Sequence, residues 1–227
     1  MTTPLRLVIF DVDGTLVDSQ GDIVAAMTAA FAVVGLPIPA RETLLSIVGL
    51  SLDVAMPVLA PDADGVVHVK MVQAYKDAYM TLRADAGVAQ SSPLYPGALD
   101  TLRALNGMPD ILLGVATGKS RRGLDKLIEG HALEGLFITQ QVADFHPSKP
   151  HPSMIMQAMT DAGVSPEDTV MIGDTSFDMD MAAAAGVRGI GVNWGYHDRE
   201  KLQNAHLVID GFSDLIPVLN DFWGVAR

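Results

Sequence analysis

No cysteine occurs in the 227 residues, which removes disulfides, thiolate nucleophiles and cysteine-bound metals from the chemistry available, and suits a reducing cytoplasm. Basic residues are scarce: 15 Lys and Arg stand against 27 Asp and Glu, for a net charge of −12. Such a chain repels nucleic acid and anionic membranes, so neither is expected as a partner, and a small anionic substrate needs a local cation. Long apolar runs are also missing. Asp11 and Asp13 interrupt the N-terminal one, so no signal peptide is read there. The uncharged stretch between Asp22 and Arg41 is alanine-rich and carries Pro37 and Pro39, which fits a buried helix better than a membrane span. A cytoplasmic location is the expectation. His146, His151, His197 and His206 are too scattered for a metal site, and repeats and low-complexity tracts are absent.

What is present is ample core material: 49% of residues are hydrophobic and 19% charged. The length suggests one main core plus an insertion. Short apolar runs at 5–10, 111–116, 169–172 and 187–192 read as buried strands. They alternate with helix-like segments at 121–129, 153–162 and 177–185. This pattern predicts an α/β fold, a Rossmann-like parallel sheet sandwiched by helices, with its site beyond the carboxyl ends of the strands. Between residues 17 and 92 only helix-like stretches occur, at 22–34, 41–47 and 66–83, and the proline-rich stretch 91–97 marks a return to the alternating pattern. The expected domains are a core of residues 1–16 and 93–227 and an inserted helical domain of 17–92.

Chemistry-bearing residues gather where the strands end. Asp11-Val12-Asp13-Gly14-Thr15 follows the first run, and alternating positions there can turn two carboxylates toward one pole of the sheet; an isolated Asx turn is the plainer alternative. A calcium loop does not fit, because its glycine would fall at Leu16 and a strand precedes the motif. Asp174 and Asp178, in Gly173-Asp174-Thr175-Ser176-Phe177-Asp178, end another run and open a helix. Helix capping accounts for one of them more readily than for both. Four carboxylates at two strand ends call for a cation, and hard oxygen ligands without a cysteine or histidine cluster select Mg2+ over zinc. A carboxylate can also attack phosphorus and split a difficult transfer into two steps, which makes Asp11 the candidate nucleophile and Asp13 its acid/base partner.

Two further sites suit phosphate. Thr117 and the backbone N–H groups around Gly118 end a strand and open a helix, a place where phosphate oxygens can bind, although the same sequence also reads as an ordinary helix cap. Gly118-Lys119-Ser120 is not a nucleotide-binding P-loop, since the earlier glycine position holds Leu113. Lys149 is followed by Pro150 and precedes a helix, which suggests a fixed cation. Gly189, Gly191 and Gly195 lack the spacing of a dinucleotide fingerprint. The methionines read as core filling.

These segments, in this order, resemble the haloacid dehalogenase (HAD) superfamily, specifically its phosphatases with a helical cap inserted after the first strand. Asp11 to Thr15 matches the first motif, Thr117 the second, Lys149 the third, and Gly173 to Asp178 the fourth. The resemblance implies that Asp11 is the nucleophile and that Asp13 protonates the leaving oxygen and then activates water. It implies Mg2+ held by the Asp11 side chain, the Asp13 backbone carbonyl and Asp174, with Asp178 in support. Thr117 would bind the transferring phosphoryl group and Lys149 would balance charge. Asp13 favours phosphatases over the true dehalogenases.

Leu16-Val17-Asp18-Ser19 and Val48-Gly49-Leu50-Ser51 look most like phosphoglycolate phosphatases, so the expected partner is a small phosphorylated metabolite. Pyrophosphatases and β-phosphoglucomutase-like mutases share the core signature, and a noncatalytic binding protein on the same fold is a further alternative. Lys76, Tyr79 and Arg83 fall at helical offsets. They read as a solvated face, with a substrate-binding cationic face as the alternative.

Overall fold

Residues Arg6–Phe10 form β1, and every one of them is buried. In this computed structural model, which describes residues 4–224, β1 lies inside a six-stranded sheet. Residues 1–3 and 225–227, the ends of the expected core, lie outside the described residues. Successive β1 side chains point to opposite faces, as strand geometry requires. Val8 and Phe10 enter one apolar core. Leu7 and Ile9 enter the other. A strand apolar on both faces can lie only between two layers of helices.

The remaining strands are β2 (Ile111–Thr117), β3 (Thr139–Val142), β4 (Thr169–Gly173), β5 (Arg188–Val192) and β6 (Leu207–Ile209). Their order is β3-β2-β1-β4-β5-β6, and each neighbouring pair is parallel. Four of the six strands coincide with apolar runs in the sequence. β3 and β6 do not, being short, with two glutamines in β3.

Helices cover both faces. Helix α6 (Ala98–Asn106), α7 (Arg121–Gly130) and α10 (Leu215–Phe222) pack on one side through residues such as Leu102, Leu127 and Leu215. The other face is covered by α8 (Ser153–Ala162) and α9 (Ser176–Ala185), through Ile155 and Met181. The chain between β1 and α6 is helical: α1 (Gln20–Val34), α2 (Arg41–Leu45), α3 (Leu52–Leu59), α4 (Gly65–Ala86) and α5 (Val88–Ser91). α3, with Pro57 inside it, is not among the helices the sequence pattern suggests. Phe31, Leu44, Met56 and Met71 draw α1 to α4 around a third apolar cluster, separate from the two that flank the sheet.

The outward and return crossings between sheet and helical insertion run side by side: Val17 bridges Leu94, and Asp18 N–H donates to Pro93 O at 2.9 Å. Three close approaches seat the insertion on the sheet. Ser51 N–H donates to Ser148 Oγ at 2.9 Å. Arg83 Nη1 donates to Gly123 O at 3.2 Å. His197 Nε2 lies 3.0 Å from Ser46 O.

Candidate active site

The parallel register sets Phe10 beside Val115 of β2 and Ile172 of β4. The residues just past these three strand ends therefore meet at one pole, flanking the point where the chain order reverses, the usual ligand position in such sheets. Asp11 N–H still donates to Ile172 O at 2.9 Å, so its backbone continues the ladder. Its side chain is 1% exposed.

Asp11 meets a buried network. Lys149 Nζ lies 3.0 Å from Asp11 Oδ1 and donates to Asp178 Oδ1 at 2.6 Å. Asp178 also closes α9: its Oδ2 accepts from Thr175 N–H at 3.0 Å and Thr175 Oγ1 at 2.7 Å, a reciprocal capping box. Asp174 accepts from Thr15 Oγ1 at 2.9 Å and from Tyr196 N–H at 2.8 Å. Gly14, at φ +83°, is required beside it, since a Cβ there would sit 2.1 Å from Asp174 Oδ2.

Two carboxylates therefore flank one ammonium, and a third, Asp174, adjoins them. Oxygens of Asp11, Asp174 and Asp178 lie within 4.8 Å of one another. Burial, partly opposed by Lys149 and reinforced by Asp178 and Asp13, pushes the Asp11 carboxyl up to about 7. Burial, with Asp178 and Asp11 as neighbours, raises Asp174 well above the usual carboxylate range. Lys149 would be lowered by burial alone, but the two aspartates hold it above the ordinary lysine value. Among the described residues, neither oxygen of Asp11 accepts a well-formed hydrogen bond. The unsatisfied Asp11 oxygens, crowded by two further buried carboxylates, fit a hard divalent cation, and this donor set can hold one.

Asp13 points elsewhere. Its Oδ1 accepts from Lys119 Nζ at 2.7 Å and from Ser19 Oγ. Ser19 is in turn tied to the Tyr196 hydroxyl, 3.1 Å from both its N and its Oγ. Oδ2 of Asp13 accepts no hydrogen bond among the described residues. Burial would lower Lys119, but the attraction and hydrogen bond of Asp13, with Tyr79, together more than offset it and the ammonium is stabilised. Thr117, 1% exposed, accepts from Lys119 N–H at 3.2 Å. Asp11, Asp13, Thr117, Gly118 and Lys119 all open onto one cavity between the sheet and the helical insertion.

Every residue singled out from the sequence thus lies at this pole, with Asp13 turned aside from the three-carboxylate cluster. The solvated reading of this α4 face holds for Lys76, which is exposed, and is corrected for Arg83, which is 9% exposed; both line the cavity with the half-buried Tyr79. Its guanidinium lies 4.9 Å from the Tyr79 ring centroid, and the Tyr79 hydroxyl contacts Lys119 Nζ at 3.2 Å. Sequence reasoning missed Lys119, Thr15 and Tyr196. Lys119 stood in the rejected P-loop segment and Thr15 in the first motif; Tyr196 carried no signal.

The family model of haloacid dehalogenase-like hydrolases matches residues 8–192. The probable phosphatase IndB of Dickeya dadantii is 35% identical over 216 residues, covering 92% of this chain and 91% of that protein. Phosphoglycolate phosphatase 1 of Pseudomonas aeruginosa is 36% identical over 220 residues, covering 93% and 79%. In fold, a haloacid dehalogenase-like hydrolase of Streptococcus pneumoniae superposes with a TM-score of 0.80 at 25% identity, over 94% of this chain and 98% of that one. A β-phosphoglucomutase of Clostridium difficile shares the fold, at 0.82 and 19% identity over 97% of each. With motifs, architecture and near full-length relatives in agreement, the chain belongs to the haloacid dehalogenase-like hydrolases, as an enzyme of the phosphatase type.

Proposed function

We propose that this protein hydrolyses the phosphate monoester of a small metabolite in two steps on Asp11, with Mg2+ as cofactor, in the cytoplasm. The observation that carries the reading is Asp11 itself: a buried carboxylate with two bare oxygens, open to a cavity and braced by Lys149. Residues 17–92 act as a cap over a core of 1–16 and 93–227.

Asp11 attacks phosphorus and the bond to the ester oxygen breaks, with the proton for the departing alcohol coming from Asp13. Asp13, now ionised, takes a proton from water; the water oxygen attacks the aspartyl phosphate, the bond to Asp11 breaks, and inorganic phosphate leaves. Thr117 Oγ1 and the Gly118 N–H hold phosphoryl oxygens, and Lys149 keeps Asp11 oriented and ionised. Asp11, Asp174 and the Asp13 carbonyl, with Asp178 in support, would hold Mg2+, whose charge offsets that of the phosphoryl group when it is bound. The cap excludes water from the ester and selects the alcohol.

Phosphate release from a panel of esters tests this, with phosphoglycolate first because several relatives carry that name. Sugar phosphates, nucleotides and pyrophosphate complete the panel, with Mg2+ or with chelator. Release should require Mg2+ and vanish in Asp11→Asn. Near-normal turnover in Asp11→Asn rules out the covalent route, and a phosphorylated isomer appearing in place of free phosphate indicates a mutase.

A further inference from the structure

The cavity between cap and core measures about 960 Å3, near the upper end of the roughly 300–1,000 Å3 typical of sites that enclose drug-sized ligands. Its two ends differ in chemistry. Asp11, Asp13, Thr117 and Lys119 make one end polar. Ile23 and Met27 of α1, Ile47 and Leu50 of the following turns, and Leu52 and Ala55 of α3 make the cap wall apolar. Tyr75, Tyr79 and Met80 of α4 add to it, while Lys76 and Arg83 of the same helix and Arg121, Arg122 and Lys126 of α7 bring cations to other parts of the lining.

Tyr79 joins the two ends. Its hydroxyl meets Lys119 Nζ at 3.2 Å, and that ammonium is 2.7 Å from Asp13. Its ring stacks on Tyr75 at 5.7 Å with 20° between planes, and Arg83 lies 4.9 Å from its centroid. The ring is therefore fixed between the two cations Lys119 and Arg83, and the apolar wall of α1 and α3 lies beyond it. A two-carbon acid phosphate engages the polar end and has no body with which to cover the apolar wall, so that wall would stay in contact with water.

We infer that the site is built for phosphate monoesters whose alcohol part is an extended apolar body, aliphatic or aromatic, in place of a two-carbon acid. The inference rests on the phosphatase reading above and narrows its substrate. The phosphate lies between Asp11 and Thr117, and the body passes Tyr79 to lie against α1 and α3. The reaction is unchanged: the alcohol leaves with the proton from Asp13.

Primary n-alkyl phosphates from ethyl to hexyl isolate the effect, because their leaving groups are equally basic. With Mg2+, kcat/KM should rise roughly threefold to fourfold per added methylene, with phosphoglycolate among the poorest esters. Ala55→Phe and, as a second variant, Leu52→Phe place a ring in the chamber and should flatten this dependence on chain length. A merely structural effect lowers every ester in parallel and overturns the assignment of that wall. A flat series in the wild-type protein, or phosphoglycolate at least tenfold better than hexyl phosphate, overturns the inference while leaving the phosphatase reading intact. Absence of phosphate release from every ester, phosphoglycolate included, removes both.

Discussion

At Lys149 a fully enclosed ammonium stands between two carboxylates, 3.0 Å from Asp11 and 2.6 Å from Asp178. Removing one partner of a buried ion network leaves uncompensated charge, so Lys149→Met should cost about 3–5 kcal/mol in chelator, read from denaturant unfolding. His197 offers a contrasting residue-level test. Its Nδ1 accepts from Ser176 N–H at 3.1 Å, so the proton sits on Nε2, facing Ser46 O of the cap. Burial lowers its affinity for a second proton below that of free imidazole. The sign follows: the contribution to stability is complete above the unfolded value near 6.5 and is lost as pH falls through the lower folded value. Thermal unfolding between pH 7 and 5 should show that loss, and His197→Gln should reduce it. The aspartates, Thr117 and Lys149 were legible from sequence because each follows an apolar run or opens a helix. The pairing of Lys119 with Asp13 was not, since it joins residues 106 positions apart.

Among the elements, the cap packs tightly over the loop between β2 and α7. A Cβ built on Gly118 would lie 2.7 Å from Gly49 O and 3.0 Å from Leu50 O, both backbone atoms with little room to yield. Gly118→Ala should therefore push the cap away from Asp11 and Thr117 and lower kcat/KM by roughly tenfold to a hundredfold. Thermal unfolding run alongside separates this from loss of fold. Helix α3 escaped sequence reading because Pro57 interrupts it, though it packs Ala55, Met56 and Leu59 into the cap cluster. β3 escaped because its pattern, Thr-Gln-Gln-Val, is edge-strand chemistry, with Gln141 bonded to Thr139 and Asp161 in place of apolar packing. α4 was recognised as a helix, with Lys76 solvated as expected, but the burial of Arg83 was not foreseen, because the surface that covers it belongs to α7 and the linker at Ser92.

For the whole molecule, a net charge of −12 and a carboxylate cluster inside the fold lead to the expectation that a divalent cation stabilises the fold. Mg2+ at about a hundred times its dissociation constant should add about 2.7 kcal/mol, a rise of several degrees in Tm for a chain of this size. Asp174→Asn should abolish most of that rise, and calorimetry without substrate reads it independently of turnover. The alternation of strands and helices, and its interruption by an all-helical stretch, was the most legible scale of all, since periodicity needs no knowledge of partners.

The paired crossings at Val17 and Leu94 carry a consequence for inheritance. The intervening chain leaves and re-enters the core through two crossings that run side by side, and its other contacts with the core are non-covalent, so to the chain connectivity of the sheet an insertion of any length resembles a short hairpin. Lengthening it adds little closure entropy. The helical segment should therefore be exchangeable as a unit. Transplanting residues between these two positions from a relative should retain the sheet and its carboxylates while replacing the chamber, and new substrate ranges can arise by trading this one segment.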